Sequence, residues 1–86
     1  MLSTEEYFKL VKDSFIEYEL AKSNDEIISV WYSKNIQNHK GMFIIKNEQG
    51  VKDFYFECTY NGDNKEFYID AYLKVSKFQI EVKESN

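Results

Sequence analysis

Few side chains in this 86-residue sequence could do covalent or acid–base chemistry, and their spacing argues against most of it. His39 is the only histidine, and its neighbours Asn38, Lys40 and Gly41 place no acidic or thiol ligand at metal spacing. A loop histidine facing solvent is expected there. Cys58 is the only cysteine, and it alternates with Phe56 and Tyr60 on an apolar strand face. Apolar burial raises a thiol's pKa and makes it inert. Lys34 and Lys40 stand near Gly41 without the glycine-rich run that turns backbone N–H groups onto a phosphate. Asp53, Glu57, Glu66 and Asp70 share one face of a hairpin, and two such acids could divide general acid and base roles only in a cleft that desolvates one of them. An outer sheet face provides no such cleft, so no catalytic residue, metal or cofactor is expected and the chain is read as a non-enzyme.

The same carboxylates have a second use. Together with Tyr55, Tyr68 and Tyr72 they make an acidic, tyrosine-rich docking surface. Tyrosine offers large contact area at low entropy cost, and carboxylates steer a basic partner. A competing site lies in Trp31, Tyr32, Lys34, Gln37, Asn38 and Lys40. There an outward tryptophan would stack a ligand such as a nucleotide base, with the lysines on its phosphates. A large aromatic on a strand more often belongs to the core.

These residues need elements to hold them. Phe54–Thr59 and Phe67–Leu73 each alternate apolar with polar side chains around Asn61-Gly62-Asp63, a hairpin signal. A one-residue slip would mix the two faces, so Phe56 is expected opposite Phe67 or Ile69. The first register sets Glu57 against Glu66 and Asp53 against Asp70, and like charges directly opposite are destabilising. The Phe56–Ile69 register is therefore preferred. Upstream, Ser3 and Glu6 form a capping box, with Leu2 and Tyr7 as a hydrophobic staple. Tyr7, Phe8, Val11, Phe15 and Tyr18 make one helical stripe, which predicts a helix to about Ala21 or Lys22 with Ile16 and Leu20 outside the stripe. Strands are expected at 27–32 and 42–46, a loop or a distorted strand end at 33–40, and a last strand over 78–83. Short connections favour antiparallel pairing. The fold class is thus α+β: one N-terminal helix packed on a four- to five-stranded antiparallel meander, a single domain over residues 1–86.

Composition bounds the partners. The chain is 43% hydrophobic and 17% aromatic, with net charge -4, no proline and no arginine. Such a balance is unfavourable for direct nucleic-acid binding, which needs a basic patch. The lone cysteine fits a reducing cytoplasm. No signal peptide is read at the acidic N-terminus, and no apolar run approaches the ~20 residues that span a bilayer, so no membrane association is expected. Absent proline, a strand edge and the Ile16/Leu20 helix flank are thinly protected, which predicts a homodimer.

Two stretches carry a resemblance. Val30-Trp31-Tyr32-Ser33-Lys34-Asn35-Ile36-Gln37-Asn38-His39-Lys40 resembles a VW-x-SK-x-LQN-x-K pattern. Phe54 to Asp63, continuing through Glu66 to Lys74, is similar to YYE-x-TYNGD followed by EIY-x-DAYKK. Both patterns occur, after an N-terminal helix, in a family of small uncharacterised proteins of phages and prophages of Gram-positive bacteria. Ile36 replaces a leucine, Asn64 is added beside the turn, and Leu73 replaces a lysine. The family has no activity to carry over. The resemblance implies a phage or prophage origin and a place of action in the bacterial host cytoplasm. By analogy with small acidic phage proteins, it implies binding and inhibition of a host protein, such as a defence factor that handles nucleic acid.

Overall fold

The computed structural model describes residues 1–74. The strand expected over 78–83 lies outside them. Helix α1 (Thr4–Glu17) opens with the capping box the sequence predicts: the Glu6 N–H donates to Ser3 Oγ at 3.1 Å, and the Ser3 N–H donates to Glu6 Oε1 at 3.0 Å. These bonds to Ser3 hold the Glu6 carboxyl below the usual carboxylate range.

The helix stops four residues short of the predicted end. Glu19 adopts φ 59°, its N–H donates to Ile16 O at 3.1 Å, and the Leu20 N–H donates to Phe15 O at 2.8 Å. This is a Schellman motif in which glutamate holds the left-handed position usually given to glycine. Tyr18 becomes the C-cap and is 68% exposed, so it leaves the predicted stripe. Ser14 is buried instead, and Leu20, folded back past the cap, packs against the core.

The strands are β1 (Glu26–Asn35), β2 (Asn38–Asn47), β3 (Gly50–Val51), β4 (Phe54–Asn61) and β5 (Glu66–Leu73), all antiparallel. The order β1-β2-β4-β5 is a meander, and β3 and β4 lie in succession along the long strand β2. Residues 33–40, expected as a loop or a distorted strand end, are mostly strand. Here β1 and β2 close through a two-residue loop, Ile36-Gln37, with Ile36 at φ 58°. An isoleucine in that region is strained.

Helix α1 covers one sheet face. Tyr7, Val11 and Phe15 pack on Phe43, Ile45, Phe56 and Cys58, all at most 3% exposed. Gly41 admits the helix at its closest approach: a Cβ there would meet Tyr7 Oη at 3.0 Å and Phe43 Cε2 at 3.0 Å. The Tyr7 hydroxyl donates to Cys58 O at 2.6 Å, which joins α1 to β4 through a buried bond.

The β4–β5 register differs from both predicted ones. Phe56 stands opposite Ala71, Cys58 opposite Ile69 and Tyr60 opposite Phe67, around a four-residue loop, 62–65. Apolar faces still match, because the register moved by an even number of residues. Glu57 consequently faces Asp70, a like-charge pair that neither predicted register contains, although the preferred one was chosen to avoid the pairs Glu57–Glu66 and Asp53–Asp70. Lys40 Nζ, 3.6 Å from Glu57 Oε1, offsets part of that repulsion.

Candidate interaction face

The face of the sheet turned away from α1 carries the candidate residues, and one irregularity decides which. Pairing slips between Ser29 and Trp31, so Val30 is an extra residue in β1. Before this bulge Ile27 and Ser29 oppose Ile45 and Phe43 on the helix side. After it, Tyr32 and Lys34 take that side, opposite Gly41 and His39, and Trp31 lies opposite Met42 on the outer side. A bulge re-aims the side chains that follow it. Trp31 is thereby turned out of the core and is 41% exposed.

The two predicted sites become neighbours on one surface. One row crosses the sheet as Trp31, Met42, Glu57 and Asp70; the next runs Ser33, Lys40, Thr59 and Tyr68. Tyr55 and Tyr72 face each other beside the first row, and Glu66 faces Asn61 at the far end. Tyr55, Tyr68 and Tyr72 are 37–50% exposed. Of the predicted acidic set, Tyr55, Glu57, Glu66, Tyr68, Asp70 and Tyr72 share the face. Asp53 precedes β4, with its carbonyl accepting from the Lys74 N–H at 2.8 Å.

The six residues of the predicted ligand site divide. Trp31, Asn38 and Lys40 stay on the outer side, and Gln37 sits in the β1–β2 loop. Tyr32 and Lys34 are on the opposite side, so a base stacked on Trp31 could not also use them. Tyr32 has a structural duty. Its hydroxyl lies 2.6 Å from His39 Nδ1 and 3.1 Å from Thr4 Oγ1, and His39 Nε2 lies 2.8 Å from Leu2 O.

His39 is therefore no solvent-facing loop residue. It is fully buried on β2, stacked on the Tyr7 ring at 5.1 Å, and ties the start of α1 to the sheet. The Leu2 carbonyl accepts only, so Nε2 donates to it, while Nδ1 meets a hydroxyl that can either donate or accept. Alternation around Gly41 and Phe43 was the available signal; reading His39 as a loop residue hid it. Cys58 is buried as predicted, and burial pushes its thiol up to about 12, with Asp70 and Glu57 adding to the shift. Burial also raises the Tyr7 hydroxyl, whose partner, the Cys58 carbonyl, can only accept. Among the described residues, no group of three or more His, Cys, Asp or Glu side chains is placed to hold a metal.

Beside Trp31 the outer face dips into an open groove of about 430 Å³, bordered by β1, β2 and β4. Two hairpin loops meet next to Asn38 and Asn61, two residues of its lining. The Gly62 N–H donates to Asn38 Oδ1 at 2.9 Å, and Gln37 Nε2 donates to Asp63 Oδ1. Gly62 is required by this approach, since a Cβ would fall 2.4 Å from Gln37 O. Its φ is not in the left-handed region; that conformation falls on Lys65, at φ 55°. Neither contact between the loops was visible in the sequence, where Asn61-Gly62 reads as turn chemistry alone.

No helix among the described residues is long and apolar enough to cross a membrane. No curated protein matches the chain. No solved structure matches it either. A family model, described as a family of unknown function (DUF6275), matches residues 3–82 and so takes in α1, all five strands and both hairpins described above. The chain belongs to this family of unknown function.

Proposed function

We propose that this protein is a binding module, not an enzyme, and that its outer sheet face takes a basic surface of another protein. The observation that carries the reading is the Glu57–Asp70 pair, held opposite one another beside the exposed rings of Tyr55, Tyr68 and Tyr72. Opposed like charges destabilise a sheet. A lysine or arginine of a partner placed between them would relieve the repulsion, while the tyrosines supply contact area. Local rules are broken in this way at functional sites.

The resemblance to phage and prophage proteins extends the reading to a host protein in the bacterial cytoplasm. Inhibition of a nucleic-acid-handling defence factor suits an acidic face that occupies a surface evolved for phosphates. The test is retention of a host protein from a Gram-positive lysate on immobilised protein, against a Glu57→Lys/Asp70→Lys variant of equal thermal stability. Retention by the native chain that weakens with salt and is lost in the variant supports the reading. Equal retention by both overturns it.

A further inference from the structure

The groove beside Trp31 has a chemistry different from the acidic pair, and it calls for a different ligand. Five of its lining residues, Ser33, Asn35, Asn38, Thr59 and Asn61, bring neutral hydroxyls and carboxamides, and Trp31 stands at one border. Two of the carboxamides are oriented by the backbone. Asn38 Oδ1 accepts from the Gly62 N–H at 2.9 Å, and Asn61 Oδ1 accepts from the Asp63 N–H at 3.0 Å. With both oxygens engaged, the Nδ2 groups remain as donors for a ligand's oxygens. Among the described residues the one cation of the lining is Lys40, which lies 3.6 Å from the Glu57 carboxylate, and Lys34 is on the other side of the sheet. A phosphate would find no undivided positive charge, so the site disfavours nucleotides.

We infer that this groove, formed by Trp31 with Asn35, Asn38 and Asn61 over the clasped hairpin loops, binds a neutral carbohydrate, a short oligosaccharide of pyranose rings. The reasons are complementary. A pyranose has an apolar C–H face that stacks on an indole, and a rim of hydroxyls that both donate and accept, as the carboxamides and hydroxyls here do. The volume, about 430 Å³, lies within the ~300–1,000 Å³ of small-molecule sites. The loops are already fixed by the Gly62–Asn38 and Gln37–Asp63 bonds, so little ordering remains to oppose binding. This site goes beyond the protein-binding role, because it lies on β1, β2 and β4 and makes no use of Asp70.

The test is an NMR titration of ¹⁵N-labelled protein with cellotriose, maltotriose, mannotriose and chitotriose, each to ~10 mM, with AMP as comparison. Saturable shifts are expected for at least one trisaccharide, at the Trp31 indole N–H and the side-chain amides of Asn35, Asn38 and Asn61. Trp31→Ala is expected to weaken that binding about tenfold or more. Asn35→Ala should weaken it with the fold intact, and serves if the tryptophan variant loses its native spectrum. Asp70→Lys should leave sugar binding unchanged, so failure here and failure of the protein-binding reading are told apart. Absence of groove shifts with all four sugars overturns the inference. So do shifts confined to another surface, or groove shifts produced by AMP alone.

Discussion

Replacing Gly62 by alanine should destabilise this protein far more than an exposed turn substitution normally does. The added Cβ would lie 2.4 Å from Gln37 O and 2.8 Å from Gln37 Cβ and Cγ. Carbon–oxygen contacts settle near 3.3 Å, so the two loops must part by roughly 1 Å. That separation breaks the Gly62–Asn38 bond and the Gln37–Asp63 bond, each worth about 0.5–1.5 kcal/mol net. Residual strain of the kind that follows overpacking adds to the loss. The sum is about 2–3 kcal/mol, and at 4–8 °C per kcal/mol for a domain of this size Tm should fall by roughly 8–24 °C. Urea unfolding followed by far-UV circular dichroism measures it. Because the nearest clash is with a backbone oxygen, trimming the neighbouring side chain in Gln37→Ala/Gly62→Ala should not restore stability. A loss below ~0.5 kcal/mol for Gly62→Ala, or rescue by the double substitution, would refute the reasoning.

Glycine should help where the left-handed backbone carries other residues: Glu19→Gly and Ile36→Gly are each expected to add about 0.5–1 kcal/mol, and a lower urea midpoint in both would count against the strain assigned there. His39→Phe keeps the stacking on Tyr7 but strands Leu2 O and frees Tyr32; a loss of about 2 kcal/mol is expected, with Tyr32→Phe adding less in that background than alone. The Cys58 thiol is raised from 9.0 to about 12, so folding favours its protonated form. Its stabilising contribution is complete below pH ~9 and is lost as pH rises toward 12, at up to ~1.4 kcal/mol per pH unit. Alkaline titration of Cys58→Ala should show a shallower fall, and in the native protein the thiol should resist aromatic disulfide reagents at pH ~8. A homodimer is expected through a sheet edge or the Ile16/Leu20 helix flank; sedimentation at ~100 µM giving only monomer mass would dismiss it.

What could be read in advance depended on whether the signal was local. The capping box needs only Ser3 and Glu6, and it was legible. So were the sheet's antiparallel order and the burial of Cys58, which follow from alternation. Alternation has period two, however, and registers two residues apart satisfy it equally. The choice among them fell to the loop length and to Lys40, a residue of another strand. The helix end was missed because Glu19 occupies a position whose usual mark is glycine. Of the candidate surface, the acidic and tyrosine residues other than Asp53 were legible as one face. The tryptophan site was legible only in part, since nothing in Ser29-Val30-Trp31 announces an extra residue.

That single residue has a consequence for how the chain tolerates insertion and deletion. Downstream of Val30, β1 is out of phase with its upstream half, and five residues to Asn35 inherit the offset. Deleting Val30 would restore an uninterrupted two-residue rhythm and so look, by sequence, like an improvement. In the folded protein it would leave Trp31 opposite Met42 and Tyr32 opposite Gly41, because Ser29 and Trp31 already pair with consecutive residues of β2, and the Tyr32 hydroxyl would keep its place beside His39 and Thr4. Pairing Val30 into the ladder with no residue removed is the change that would turn the Trp31 indole toward α1 and the Tyr32 hydroxyl away from His39 and Thr4. The constraint at this point is on the bulge and not on length, and Val30 itself is half exposed.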